Sequence, residues 1–331
     1  MLQEHQTALD PLSCLKNSFH SELQRVDKMI FESVSTDEPL IEKVATTLIS
    51  AGGKRLRPLL CLASSHIANK ITENTYYLSA AIELIHVATL LHDDVIDESI
   101  LRRGKQTSNT IWGNKPSILV GDFLFARAFG LMVKTGNIRF LGILAKASSQ
   151  ISKGEIAQLR HVKSLDLGIQ DYLKIIEYKT ATLFAASCQT GAFSGGANEN
   201  VAGQLYEFGK NFGLMYQIID DVLDYTDDTR GKTIGDDFYE RKVTFPVLLA
   251  YQKDTNKFFW HQCFKDSKTE EVAFENVRNR LQAFDAFNQS ITFAKQYAQK
   301  AKASLHAFNS ETAKLLDSFI ESFFKKVTCQ Y

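Results

Sequence analysis

The sequence predicts an all-α chain on three observations. Apolar residues recur at three- and four-residue spacing along most of its length, strand-like alternation is nearly absent, and four of the five prolines stand where a helix would begin. The first periodic segment runs over 11–34 and the second over 40–50, opened by Pro11 and Pro39. Ala51-Gly52-Gly53 breaks the pattern before a helix over 56–68, whose first turn holds Pro58. A long helix is expected over 75–97. Gly104-Lys105 and Gly113-Asn114 mark turns ahead of 116–135, and Gly136-Asn137 separates that segment from 138–162. Gly195-Gly196 divides 170–194 from 199–226, and beyond Gly231-Lys232 come 242–252, 269–284, 288–308 and 311–327. No stretch reads as a flexible linker, a low-complexity tract or a repeat. A single domain of packed antiparallel helices is therefore expected over 1–331, with its core helices within 15–327.

Composition narrows the function. Hydrophobic residues make up 44% and charged residues 23% of the 331 positions, as in globular proteins with a sizeable core. The 38 basic and 38 acidic residues cancel, so no global field draws the chain to nucleic acid or to an anionic membrane, and recognition by charge has to be local. Cys14, Cys61, Cys188, Cys263 and Cys329 are scattered without CxxC spacing, which fits packing residues in a reducing compartment. The first residues lack a basic segment followed by an apolar one, and no apolar run approaches the roughly 20 residues that span a bilayer. A soluble, cytoplasmic protein without a transmembrane segment is expected.

Two DDxxD motifs carry the chemistry: Asp93-Asp94-Val95-Ile96-Asp97 and Asp220-Asp221-Val222-Leu223-Asp224. Residues four apart share a helix face, so Asp93 lies one turn from Asp97, and Asp220 one turn from Asp224. Such like-charge pairs repel, and more strongly where water is excluded. Mg²⁺ offsets the repulsion naturally, because it takes one or two carboxylates together with waters and phosphate oxygens. One motif alone fits a solvated helix end equally well. Two motifs, behind the apolar runs Leu90-Leu91-His92 and Tyr216-Gln217-Ile218-Ile219, favour a metal-diphosphate clamp.

A second anion would need cations of its own. Gly52-Gly53-Lys54-Arg55-Leu56-Arg57-Pro58 puts three basic residues at a helix start, where side chains and backbone N–H groups both meet phosphate oxygens, although an ordinary basic loop reads the same way. Arg102-Arg103-Gly104 follows the first acidic motif and either reaches its phosphate or neutralises its carboxylates. Lys179-Thr180 is mid-helix, and Lys232 and Lys242 follow the second motif; each taken alone is a surface lysine. His86, seven residues before Asp93, shares its face and is either a packing histidine or a substrate contact.

The ordered set Gly-Gly-Lys-Arg-x-Arg-Pro, His-Asp-Asp-x-x-Asp with Arg-Arg-Gly, Lys-Thr and Gln-x-x-Asp-Asp-x-x-Asp resembles the trans-isoprenyl diphosphate synthase (polyprenyl synthetase) family, nearest its octaprenyl and decaprenyl branch. The resemblance implies an isoprenoid synthase-type helical bundle around a central cavity and a homodimer. It also implies Mg²⁺, three ions per site and replaceable by Mn²⁺. Isopentenyl diphosphate contacts then fall on Lys54, Arg57, His86 and Arg103. Contacts to the allylic diphosphate fall on Arg102, Lys179, Thr180, Gln217 and Lys232, and Lys242 is retained. Metal ligands fall on Asp93, Asp97 and Asp220, supported by Asp94, Asp221 and Asp224. One departure is visible: relatives carry Gly-Lys where this chain has Arg241-Lys242, which puts the local loop shape in question.

The implied reaction is ionisation of an allylic diphosphate, attack by the double bond of isopentenyl diphosphate and loss of a proton to the released diphosphate. Its product would be a quinone side-chain precursor. The growing tail would pass the residues upstream of Asp93, about one isoprene per ~5.4 Å turn. Thr89, Ala88 and Ile85 stand there, and the small Ala88 and Thr89 favour a deep tunnel with a floor near Phe125, Phe129 and Met132. The alternatives are a short-chain farnesyl or geranylgeranyl synthase, a non-catalytic partner subunit, and a terpene cyclase. The cyclase would have no use for Lys54, Arg57 and Arg103.

Overall fold

Helices follow the apolar periodicity closely. The computed structural model describes residues 10–102, 104–226, 234–265 and 270–328. In order these form α1 (Pro11–Ser18), α2 (His20–Val34), α3 (Pro39–Ser50), α4 (Leu56–Ala68) and α5 (Glu73–Ile96). A hairpin of β1 (Leu101–Arg102) and β2 (Lys105–Gln106) leads to α6 (Ser108–Trp112), α7 (Asn114–Lys134), α8 (Ile138–Arg160) and α9 (Ile169–Ile176). A π turn (Glu177–Ala181) joins α9 to α10 (Thr182–Ser194), and α11 (Glu199–Asp224) and α12 (Asp236–Tyr239) follow. The chain closes with α13 (Phe245–Lys253), α14 (Lys257–Lys265), α15 (Glu270–Ala283), α16 (Ala286–Leu305) and α17 (Glu311–Thr328).

Local chemistry sets the boundaries. Thr72 and Thr75 form a reciprocal capping box that starts α5, and Pro11, Pro39 and Pro246 occupy first-turn positions. The predicted breaks at Gly52, Gly104, Gly113, Gly136 and Gly196 all take positive φ.

Four differences from the sequence reading have physical causes. Segment 11–34 is two helices, because Phe19 leaves the helical region to bury its ring edge-on against His66, 5.8 Å away. The span 170–194 is interrupted by the π turn. The hairpin, α12 and α14 are too short or too tertiary in origin to show a period. Finally, α7 is long and apolar enough to cross a membrane, although no apolar run of that kind was expected. Here its inner side packs along α5.

The core centres on α10, against which α4, α5 and α11 all pack. Nearly all of α10 is buried, as expected of a helix that is apolar all round. Gly191 permits its closest crossing, since a Cβ there would lie 2.2 Å from the Cys61 carbonyl oxygen of α4. The C-terminal ends of α5 and α11, carrying the two acidic motifs, open on the same cavity.

Candidate active site

On α5, Asp93 and Asp97 line the cavity while Asp94 is turned away, only 1% exposed. About 100° of rotation per residue separates neighbours on a helix, so the two aspartates cannot share a role. The β1–β2 hairpin brings Arg102 back over the helix end, where its Nε donates to Asp94 Oδ1 at 2.6 Å. Burial, reinforced by Asp97, pushes the Asp93 carboxyl above its ordinary range, and Lys179, Lys242 and Arg102 oppose the shift. Lys242 Nζ reaches Asp97 Oδ2 at 2.6 Å and Glu240 Oε2 at 2.6 Å.

The second motif divides differently, with Asp220 and Asp221 both lining the cavity. Asp221, 3% exposed, accepts from the Tyr172 hydroxyl, from Gln217 Nε2 at 3.0 Å and from the Phe245 N–H at 2.9 Å. Burial and the nearby Asp237 push it up to about 7 against those three donors. Asp224 does not line the cavity. Its carboxylate accepts the Asp237 N–H at 3.2 Å and its carbonyl the Gly235 N–H at 2.8 Å, which docks the segment carrying Asp237 and Lys242.

Asp93, Asp97, Asp220 and Asp237 offer an oxygen-only donor set suited to a hard divalent cation. Among the described residues no three ligating side chains are gathered tightly enough to hold an ion by themselves. Asp93 and Asp97 instead face Lys179 and Lys242.

Lys179 and Thr180 sit in the π turn, a geometry that occurs preferentially at functional sites. Lys179 Nζ lies 2.6 Å from Glu155 Oε2, donates to Gln158 Oε1 at 2.6 Å and stands 4.0 Å from Asp93 Oδ2. The Thr180 hydroxyl donates to Gln217 Oε1 at 2.8 Å, and Gln217 continues the chain to Asp221. Gln158, Lys179, Thr180 and Gln217, with Asp93, Asp97, Asp220 and Asp221, line a chamber of about 160 Å³.

A second chamber, of about 660 Å³, is cationic. It is lined by Lys54, Arg55, Arg57, His86 and Thr89, with the Arg57 guanidinium 4.3 Å over the Phe184 ring and Lys54 over Phe323. Leu90, Asp93, Arg102, Lys179, Thr180, Gln217 and Asp220 line both chambers, so the acidic and basic spaces share a wall.

Residues 38–281 match the model of the polyprenyl synthetase family. The chain belongs to the polyprenyl synthetase family. It is 39% identical over 232 residues to the octaprenyl diphosphate synthase of Escherichia coli, covering 70% of this chain and 72% of that protein. A decaprenyl diphosphate synthase from Rhodobacter capsulatus superposes with TM-score 0.91 at 37% identity, over 96% of this chain and 99% of the other. A polyprenyl synthase from Caulobacter crescentus, complexed with calcium and isoprenyl diphosphate, superposes with TM-score 0.92 at 40% identity, over 97% and 98%.

For this member of the family, most of the expected site residues line one of the two joined chambers. Asp94 and Asp224 do not, and they act by holding Arg102 and the 235–242 segment instead. Arg103 and Lys232 lie outside the described residues. Thr89 faces the cationic chamber, whereas Ile85 and Ala88 are fully buried among packed helices. Phe129, read as tunnel floor, is 40% exposed on the outer side of α7, while Met132 is buried. Arg241 takes φ 61, the left-handed region that glycine adopts most freely. It keeps the loop by donating to the Cys263 carbonyl at 2.7 Å and stacking over Phe238.

Glu155, Gln158, Tyr172 and Asp237 were not singled out from the sequence. The three-residue spacing of Glu155 and Gln158 on one helix was the available signal. Tyr172 left none, because its partner is remote in the chain.

Proposed function

We propose that this prenyltransferase is a long-chain all-trans polyprenyl diphosphate synthase, a single-domain enzyme that condenses isopentenyl diphosphate with an allylic diphosphate. One observation carries the reading: a carboxylate-lined chamber and a cationic chamber share the wall formed by Asp93, Arg102, Lys179, Gln217 and Asp220. A site for one diphosphate would need only the first. The octaprenyl and decaprenyl relatives support the long product.

Asp93, Asp97 and Asp220 would hold Mg²⁺, three ions per site with Mn²⁺ able to substitute, and the metal supplies Lewis-acid stabilisation of the departing diphosphate. The chain supplies the rest. Lys179, Arg102 and Lys242 are placed to stabilise the charge that develops on the allylic diphosphate. The oriented Thr180–Gln217–Asp221 chain fixes the Gln217 dipole beside the reacting carbon. Lys54, Arg57 and His86 hold isopentenyl diphosphate across the shared wall, with its double bond towards that carbon. The proton lost from the condensed product passes to the released diphosphate, as the family resemblance implies.

The tail would run from Thr89 past Ala88 and Ile85, entering packed core. The exposed outer side of α7 supports a homodimer, and the buried Cys61, Cys188 and Cys263, which form no disulfide, suit the cytoplasm. Quinone side-chain synthesis is the proposed fate of the product.

The test is the product spectrum of the purified chain with Mg²⁺, isopentenyl diphosphate and each allylic primer in turn. An octaprenyl-to-decaprenyl product is expected, EDTA should abolish turnover, and Ala88→Phe should shorten the product by several isoprene units. A farnesyl or geranylgeranyl end point from the unmodified chain would refute the long-chain reading, and no turnover with any primer would favour a partner subunit.

A further inference from the structure

Arg55 stands between two residues assigned to the cationic chamber and lines it as well, yet its guanidinium is taken up by groups of three neighbouring helices. It is the N-cap of α4 and takes φ 50, ψ 35, the left-handed region that a bulky residue adopts only when its surroundings hold it there. Those surroundings are explicit. Nε donates to Asp27 Oδ1 of α2 at 2.9 Å, one terminal nitrogen to Glu83 Oε1 of α5 at 2.8 Å, and the other to the Ile49 carbonyl of α3 at 3.2 Å. The Arg55 side chain is 13% exposed and that of Glu83 only 6%. One guanidinium therefore ties the start of α4 to three other helices, including the helix that carries His86 and Asp93.

Glu83 makes the arrangement informative. It is a buried carboxylate on the side of the chamber that also holds Lys54, Arg57 and His86, away from the wall formed by Asp93 and Asp220. An acid there would repel a diphosphate unless its charge were compensated, and Arg55 compensates it. The fork geometry of arginine matters, because a lysine ammonium cannot serve three acceptors spread over separate helices in one plane.

We propose that Arg55 is a positioning residue for the second diphosphate. It locks the left-handed entry into α4, which aims Lys54 and Arg57 into the chamber, and it neutralises Glu83 without itself binding phosphate. This rests on the reading that Lys54, Arg57 and His86 hold isopentenyl diphosphate.

The sign of the Glu83→Gln effect tests it. If Arg55 simply bound phosphate, removing the carboxylate would release its charge and tighten isopentenyl diphosphate binding. If Arg55 positions the loop, losing its α5 anchor weakens binding. The expected result in Glu83→Gln and Arg55→Gln is a rise of roughly tenfold in KM for isopentenyl diphosphate, with the allylic KM changed by less than about twofold. Arg55→Lys should restore only part of the loss. Asp27→Asn changes a half-exposed carboxylate that does not line the chamber, and it keeps the test open should Arg55→Gln fail to fold. Its KM for isopentenyl diphosphate should rise roughly threefold with an unchanged melting temperature.

An unchanged or lower KM in Glu83→Gln, or both substrate KM values rising together with a fall in melting temperature, would overturn the proposal. Lys54→Ala and Arg57→Ala serve as the reference. If they leave KM for isopentenyl diphosphate unchanged, the assignment of the chamber itself falls. If they raise it while the Arg55, Glu83 and Asp27 variants do not, only the positioning role falls.

Discussion

Helix periodicity made the first acidic motif readable and the second only in part. The four-residue step puts Asp93 and Asp97 on one cavity-facing side but fails for Asp220 and Asp224, since Asp224 leaves the cavity and Asp221 lines it; Asp94 and Asp221 are both buried. What meets them there, Arg102 from a hairpin and Tyr172 and Phe245 from distant helices, has no signature in local spacing. Tyr172→Phe removes a donor to Asp221 and leaves a buried carboxylate less satisfied, at about 1–3 kcal/mol. The expected result is a five- to twentyfold loss in kcat as Gln217 loses its fixed partner, read by steady-state kinetics, with allylic KM little changed. The Asp221 pKa also fixes a sign. Its folded value, about 7, lies above the ordinary 3.8, so the stability it contributes is complete below the ordinary value and is lost as pH rises through about 7. Metal-free protein should melt at a lower temperature at pH 8 than at pH 6, and Asp221→Asn should flatten that slope. A slope unaltered by the substitution would assign the effect to other groups.

At the scale of elements, the long helices were legible because each turns one apolar side to the core for many turns. The π turn was not, since it arises from what packs against it. Gly154 of α8 lies so close to the turn that an added Cβ would sit 2.6 Å from the Lys179 backbone nitrogen and 2.9 Å from Tyr178 Cβ. The absence of a side chain at this position lets α8 approach until Glu155 and Gln158 grip Lys179. Gly154→Ala should therefore push the two elements apart, costing about 1–3 kcal/mol of stability through overpacking. Lys179 would then be misplaced relative to Asp93, and kcat is expected to fall at least about tenfold. Gly142, on the same helix but with open space around its Cβ position, is the control. Gly142→Ala should leave kcat unchanged and raise stability by about 0.5–1 kcal/mol, the usual gain on replacing a helical glycine, and an equal loss in both variants would show that the close approach does not set the outcome.

The whole molecule poses a different question, because its neutral net charge and its cavity chemistry leave one large feature unused. Along the outer side of α7, Ile118 is 42% exposed, Leu119 65%, Phe129 40% and Val133 66%. Exposed Asp122 interrupts this side between Leu119 and Phe129, and the apolar residues at its two ends are the part that a second copy would cover. The inner side of the same helix packs on α5, the helix of Asp93 and Asp97, so a second copy covering α7 would brace the site from behind. Leu119→Lys combined with Val133→Lys places two ammonium groups in that contact while leaving the core side of α7 intact. Each side chain would contribute about 1.5–3 kcal/mol if buried between copies, so the pair should weaken association by at least roughly a hundredfold. Light scattering after gel filtration should then report a mass near 37.3 kDa in place of twice that value, with the helical circular dichroism signal retained. If α7 is braced by the partner, kcat in the monomeric variant should fall more than either KM, as displacement of α5 loosens the carboxylates. An unmodified chain already monomeric at micromolar concentration would remove the dimer from the account and leave the outer side of α7 without an occupant.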